Sequence, residues 1–434
     1  GNFSLKMKGN GKLSFTAAGF TANSVTPEGN SAIVVLKRNT SELSTVVITT
    51  ALGVQRQAKE LGYAQTTISN KTLTQAKSVN VQQALNGKVS GLNISTVNSG
   101  VFENSKINIR GIRSLTGNNQ PMLVVDGAPT PLGYLSSIPP DDVADITILK
   151  SAASAAIYGP DAVNGVIIIT TKKGGKKPTV TLNSTVQATK VSFFPKLQRS
   201  FGDGAGEVVD QYGNYGYVSY ENQQYGPQFD GSIQPIGPVL EDGSQQTGPY
   251  NDSHYKDKIK FFNTGLTYQN SASIAGEDFY VSIEDANIKG LVPDDVNRRT
   301  SFRFNGGKTY GKFSINYGLN YVLSNYNILN ESGFQNTFPG AYDGGLFLLV
   351  EQTASNIPLL SYKDQNSKYG QFSNYYNEYA VNPYWLIPTL RPNRNADDLL
   401  GNVALNFQVF PWLKATERVS TTLSFTNRTN TNAP

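Results

Sequence analysis

The stretch INIRGIRSLTGNNQPMLVVDGAPTPLGYLSSIPPDDVADITILKSAASAAIYGPDAVNGVIIITTKKG, residues Ile107 to Gly174, decides the fold. Three apolar, β-branched runs stand out in it: Met122 to Val125, Ile146 to Leu149 and Val166 to Thr171. Asp126-Gly127 follows the first run and reads as a tight hairpin turn, which needs positive φ. Asn164-Gly165 ahead of the third run gives the same signal. Between the second and third runs, Ser151 to Tyr158 is Ala-rich and reads as a short helix, with Ser151 able to cap its start and Gly159 to close it. Pro139-Pro140-Asp141-Asp142 starts another short turn or helix, with the two acids as capping residues. The stretch is a compact α+β unit.

Composition narrows what the rest can be. The chain has 434 residues, no cysteine and one histidine, His254, so disulfide, thiolate and histidine-cluster chemistry are excluded. A net charge of +5 with only 16% charged residues does not call for nucleic acid. Tyr (23), Phe (21) and Gly (41) are abundant, pointing to a β-protein. No apolar run approaches the roughly 18 residues of a spanning helix, so the chain is either soluble or meets a membrane as a barrel. It opens without a secretory signal, on residues that read as the inside of a domain, and is expected to be a fragment.

Residues 1–40 alternate as short strands of a small β-sandwich (Phe3, Leu5, Met7, Leu13, Phe15, then Ala32 to Leu36), too short to bury a core alone. In 41–60, the uncharged run Ser44 to Thr50 is either one more strand or an extended segment that adds to a partner's sheet edge. Asn80 can cap a helix that carries Val81, Ala84, Leu85 and Val89 on one face, with Gly91 closing it. Residues 61–175 form one α+β domain.

From 176 onward the period becomes two. Val180, Leu182, Val186 and Ala188 oppose Thr, Asn and Gln; Phe262 to Tyr268, Phe279 to Ile283, Phe313 to Tyr321 and Val403 to Val409 follow the same rule. With Thr300 to Phe304 and Ala415 to Phe425, about seven segments of about ten residues emerge, apolar toward lipid and polar toward a lumen. Tyr and Phe at strand ends suit an interfacial girdle. Short connections at 306–311 and 410–413 alternate with very long ones at 193–258 and 323–399, the asymmetry of outer-membrane barrels. A soluble sandwich with insertions is the bland alternative.

The pieces Thr45 to Gly53, Leu61-Gly-Tyr63, Val81 to Leu92, Ile109-Arg-Gly-Ile-Arg113, Pro121 to Gly127, Ile146 to Lys150, Ala155 to Gly159 and Asn164 to Ile167 together resemble the plug region of the SusC/RagA-like TonB-dependent outer-membrane transporters. Residues 1–40 are similar to the tail of that family's carboxypeptidase-regulatory-like β-sandwich, and Pro195 to Gln198 and Phe261 to Gly265 to parts of its barrel. The sequence departs from the family's acidic run just ahead of the TonB box; here Glu42 is the nearest acid.

The resemblance implies a transmembrane antiparallel β-barrel of about 22 strands with an internal α+β plug. Seven candidate strands cannot close such a barrel, so its remainder is expected to lie outside this sequence. It implies a Bacteroidota-type Gram-negative outer membrane. It makes Thr45, Val46, Val47, Ile48, Thr49 and Thr50 the TonB box, and Arg110, Gly111, Arg113, Asp126, Gly127, Tyr158, Gly159, Asn164 and Gly165 the plug's structural motifs. Import of a glycan or oligopeptide would draw on the proton-motive force through TonB and its inner-membrane motor, without a cofactor. A SusD-like lipoprotein would close the outer surface as a lid, and a dimer of transporter–lipoprotein pairs is compatible with this arrangement. The alternative is a family-scaffold barrel acting as a docking component of a surface or secretion complex.

No enzyme reading survives. His254 lies in a polar loop, and Gly202 to Gly206 lacks the Lys and Ser/Thr of a nucleotide loop. Asp203, Glu207 and Asp210 could gather calcium but lack EF-hand spacing, and a solvated loop reads better. Arg110 and Arg113 are expected to brace the plug against the wall by ion pairs, and Tyr375 to Tyr379 to offer rings and amides to a ligand or simply to line an exposed loop.

Overall fold

The computed structural model describes residues 13–15, 23–26, 34–35, 47–49, 55–57, 65–96, 101, 105–150, 152–192, 194–204, 216–329, 345–389 and 391–429. The chain divides into two units, Gly1–Ala64 and Gln65–Pro434. In the first, β1 (Leu13–Phe15) pairs antiparallel with β2 (Asn23–Val25), and β3 (Val47–Thr49) with β4 (Gln55–Gln57). The expected strand at Phe3 to Met7, and Thr45, Val46 and Thr50 of the TonB box, lie outside the described residues.

The second unit opens with an inner domain. Its elements are β5 (Gln65–Ser69), α1 (Asn70–Leu73), α2 (Val81–Leu85), β6 (Leu92–Thr96), β7 (Ser105–Ile109), β8 (Met122–Val125), β9 (Ala128–Thr130), β10 (Val143–Leu149), α3 (Ala152–Tyr158) and β11 (Val166–Thr171). Five of its strands form a sheet in the order β5-β10-β11-β8-β9, with β11 and β8 parallel and the other pairs antiparallel. The strands β6 and β7 make a separate pair. Three expected apolar runs become β8, β10 and β11, and their side chains meet Val81, Leu85, Leu135 and Ile138 in one core. The Asn80 carboxamide caps α2 by accepting from the Gln83 N–H at 2.9 Å. That helix is shorter than its apolar face suggests, ending at Leu85 before the positive-φ Gly87.

Asp126 and Gly127 both take positive φ, 49° and 82°, and close the β8–β9 hairpin as their sequence requires. Asn164-Gly165 does something else. No hairpin forms there, because α3 and a 3-10 turn at Pro160–Ala162 separate β10 from β11. Gly165 has φ 101°, and a Cβ on it would come within 2.7 Å of the Ile109 side chain, so the glycine serves close packing at a helix-to-strand junction.

The wall follows. It begins with β12 (Thr179–Thr189), and after a long loop holding β13 (Ile233–Ile236), β14 (Gln246–Pro249) and α4 (Asp257–Lys260) it continues as β15 (Gly265–Ala275), β16 (Phe279–Lys289), β17 (Val296–Tyr310) and β18 (Phe313–Asn327). A second long loop holds α5 (Gly345–Gln352) and α6 (Pro383–Thr389), and then come β19 (Asn393–Phe410) and β20 (Leu413–Thr429). The order β12-β15-β16-β17-β18-β19-β20 makes one seven-stranded sheet, antiparallel throughout. Seven strands were expected, and their 11 to 18 residues exceed the expected ten. Short connections at 276–278, 311–312 and 411–412 lie at one end. At the other end are 290–295 and the long loops 190–264 and 328–392. The expected turn at 306–311 is therefore narrower, Gly306 to Tyr310 being strand, and both long loops differ from their expected bounds.

Burial in this sheet inverts the soluble rule. Gln269, Ser282, Glu284, Asn297, Arg299, Arg303 and Asn305 are buried on the inner face, while Ile283, Phe302, Leu319, Leu405 and Phe407 are exposed on the outer one. Such a face fits hydrocarbon. Tyr310, Phe313, Phe410 and Trp412 crowd the short-turn end, with Phe410 stacked on Trp412 at 5.6 Å. Among the described residues no helix is long and apolar enough to cross a membrane.

The long loops pack on each other. Ile236, Phe261, Phe262, Leu346, Tyr362 and Tyr376 share a core. Phe262 therefore belongs to the loops, and β15 starts three residues later than the alternation suggested. Tyr375 and Tyr376 are buried there too, leaving Tyr379 of that run exposed. His254 is half-buried, with Nδ1 at 2.9 Å from Asp257.

Candidate functional site

The chemistry of the molecule concentrates where the inner domain meets the wall. Pro139 and Pro140 fix two φ angles and set up a 3-10 turn, Pro140–Asp142, at the foot of β10. This turn aims Asp142 at the wall, where it is 3% exposed. Its Oδ1 accepts from Tyr280 Oη at 3.0 Å and Ser282 Oγ at 2.5 Å, and its Oδ2 from Arg303 Nε at 3.2 Å. Arg303 is itself 2% exposed. Asp141 points to neighbouring strands and accepts from Asn183 at 2.9 Å and Ser271 at 3.0 Å. Neither acid caps the turn with its side chain.

A second buried pair lies beside the first. Arg299 Nη2 meets Glu284 Oε1 at 2.6 Å, and Gln269 donates to the other carboxylate oxygen at 2.8 Å. The same guanidinium reaches the inner domain by donating to the carbonyls of Val79 at 2.6 Å and Ser136 at 2.9 Å. Asn297 donates to the Val101 carbonyl, Asn305 to Thr171 Oγ1 and the Lys172 carbonyl, and Gln187 to the carbonyls of Ala76 and Lys77. Asn320 donates to the Tyr134 hydroxyl, whose ionisation burial pushes up to about 12. These groups bond across the seam and give the inner domain a defined seat, although Asn297 Oδ1, Arg299 Nε, Arg303 Nη2 and Asn320 Oδ1 are buried there without a partner.

The motif residues divide by this seam. Asp126 holds Thr171 through its backbone N–H at 2.9 Å and its hydroxyl at 2.6 Å, continuing the chain that Asn305 begins. Gly127 accepts from Arg418 of β20 at 3.0 Å. Gly159 (φ 82°) ends α3, and the half-buried Tyr158 is that helix's last residue. Asn164 donates to the Asn118 carbonyl at 2.8 Å and steadies the 113–120 loop. Arg110 (φ 63°) and Gly111 (φ 98°) turn the chain after β7. Arg110 and Arg113 are exposed, and neither forms an ion pair among the described residues. One ion pair does brace the seam, with the charges exchanged: Arg303 stands on the wall and Asp142 on the inner domain. A sequence signal for them was available, since Glu284, Arg299 and Arg303 occupy inward positions of alternating strands.

Toward the long-loop end, a cavity of about 370 Å3 opens between the 131–137 segment and strands β18 to β20. Gln82, Tyr134, Tyr326, Arg394, Asp398 and Ser424 are among its lining residues. Asp203, considered as a calcium ligand, is instead fully buried against Asn356. Glu207 and Asp210 lie outside the described residues.

Residues 57–166 match the TonB-dependent Receptor Plug Domain family. SusC, a TonB-dependent receptor of Bacteroides thetaiotaomicron, is 26% identical over 94% of this chain. The structure of the RagAB peptide importer in its open-open state superposes with a TM-score of 0.63 at 19% identity over 88% of the chain. The chain carries a TonB-dependent receptor plug domain and is similar to the SusC/RagA-like receptors. Its inner domain is the plug, and its seven-stranded sheet is part of a TonB-dependent receptor barrel. TonB-dependent receptor P26 of Formosa agariphila is 31% identical over 45% of the chain, covering 20% of that protein. The chain spans 39% of the length of SusC and 42% of the RagAB chain it matches.

Proposed function

We propose that this SusC/RagA-like chain serves TonB-dependent import of a nutrient, a glycan or an oligopeptide, across an outer membrane. The plug's polar seat in an inward-polar, outward-apolar wall carries this reading. A seat made of discrete hydrogen bonds and one buried ion pair, Arg303 with Asp142, can be broken and remade, as a hydrophobic seal in this position could not without exposing apolar surface to water. Thr45 to Thr50 would be the segment that TonB captures as an added strand. Within it, Val47–Thr49 is extended and pairs with Gln55–Gln57 over three residues, a small ladder to exchange. The cavity at Tyr326, Arg394 and Asp398 would receive substrate above the plug, under the long loops. A SusD-like lipoprotein would cover those loops.

Deleting Thr45 to Thr50 and measuring uptake tests the reading. Uptake is expected to fall to background while the barrel still reaches the membrane. Unchanged uptake would overturn import; a loss of surface-complex assembly with uptake intact would establish the docking role instead. Purification in mild detergent is expected to bring down a lipoprotein, and none would refute the lid.

A further inference from the structure

Asp203 joins the two long loops. It lies on 201–204, held to 223–228 by Gly204 N–H to Gln223 O at 2.9 Å and Gly226 N–H to Gly202 O at 3.2 Å. The approach is so close that a Cβ on Gly226 would sit 2.1 Å from the Asp203 carbonyl oxygen. From the other loop, the strap after α5 brings Asn356 Nδ2 to Asp203 Oδ1 at 2.5 Å. Asp203 Oδ2 is buried and receives no hydrogen bond.

Among the described residues no cation pairs with that oxygen. Tyr217, Tyr250, Tyr362 and Tyr376 act on this carboxyl, as does the carboxylate of Glu221, whose Oε2 is also buried without a partner. Tyr217 gives its hydrogen to the Pro235 carbonyl, Tyr250 to Pro227 and Tyr362 to Gln246. With its hydrogen on Pro235, Tyr217 presents a lone pair to Asp203; turned toward Asp203, the same hydroxyl hydrogen stabilises the carboxylate and opposes the burial. No lysine or arginine among the described residues forms an ion pair with Asp203. A carboxylate here is desolvated between the two loops, whereas a carboxylic acid can donate to Tyr217 Oη and leave that hydroxyl's hydrogen on Pro235.

We propose that Asp203 is a proton-operated clasp between the two outer loops. Protonated, it links 201–204, Tyr217 and Asn356 in one buried network; ionised, it draws in water and the strap at 353–357 separates from 201–204. Burial pushes its titration up to about 7, with Asn356, its own backbone N–H and Tyr217 opposing and Glu221 adding to the rise, so the clasp works in the neutral range. Nothing in this depends on which nutrient is carried.

Hydrogen exchange of the full chain in detergent tests the clasp. Peptides covering 198–204 and 353–357 are expected to exchange at least about tenfold faster at about pH 9 than at about pH 5, after correction for intrinsic exchange. In Asp203→Asn, whose amide can donate to Tyr217 at every pH, that difference disappears and protection stays high. In Asn356→Leu, which removes the donor that most stabilises the carboxylate, the transition moves to higher pH. Equal protection of the wild type at both pH values, or a transition that persists in Asp203→Asn, overturns the proposal. Should Asp203→Asn not fold, a transition in Asn356→Leu at the wild-type pH overturns it equally.

Discussion

Replacing Asp142 by alanine should unseat the plug. The change removes the acceptor of three hydrogen bonds, from Tyr280, Ser282 and Arg303, and leaves the Arg303 guanidinium buried without its counter-charge. One guanidinium nitrogen, Nη2, already lacks a partner. Breaking a buried pair from one side costs about 3–5 kcal/mol, so the seated state should lose about a thousandfold of its population advantage. Because Arg299, Asn297 and Asn305 still hold other parts of the plug, local opening near β10 is expected rather than ejection. Two readouts check this: sensitivity of cells to an antibiotic too large for an intact outer membrane, and hydrogen exchange of residues 140–149. Both should rise. Adding Arg303→Met should recover much of the loss, since removing both partners of a buried pair is often nearly neutral. If the single variant matches wild type in both assays, or the double variant is worse than the single, the seat does not rest on this pair.

Gly127→Val should weaken the β8–β9 hairpin by about 1–2 kcal/mol, because φ is 82° there and a Cβ would sit 2.2 Å from Arg418 Nη1; a lowered thermal midpoint checks it. Asp145 tests pH. Burial raises its titration above the ordinary 3.8, with Thr170 opposing and Asp126 adding to the rise. The folded chain therefore holds this proton more tightly than the unfolded one, and stability should fall as pH rises above about 3.8. Urea midpoints should show that slope flattened in Asp145→Asn. On the outer face, Leu319→Arg places a charge toward lipid and should cost about 2–4 kcal/mol, falling with distance from the bilayer midplane. Folding yield into vesicles measures it, and a wild-type yield would refute the lipid-facing assignment.

Much of the wall was legible because a period of two reports sidedness directly. Phe279, Val281 and Ile283 against Tyr280, Ser282 and Glu284 placed each residue correctly before any partner was known. The Asp126-Gly127 turn was legible because two successive positive φ angles admit few residues. Asn164-Gly165 misled for a complementary reason: the dipeptide states that a glycine conformation is needed, not which elements it joins. Phe262 misled because apolar alternation continues from a strand into a packed loop without a mark. The seam was hidden since its ties connect residues far apart, such as Asp142 with Arg303, and spacing carries no record of such pairs. Arg110 and Arg113 attracted attention as charges in a motif, whereas the decisive charges stood in strands where only inward orientation singles them out.

Five donors of the seam address the plug's main chain. Arg299, Asn297, Asn305, Gln187 and Arg418 reach the carbonyls of Val79, Ser136, Val101, Lys172, Ala76, Lys77 and Gly127. A carbonyl is the same whatever side chain follows it. The plug can thus change its residues at these positions through drift or design and still be recognised, provided its backbone path is kept, while the wall cannot exchange its donors. At those positions heritable variation has freedom on the plug and little on the wall, whereas Asp141 and Asp142 are held by what their own side chains accept.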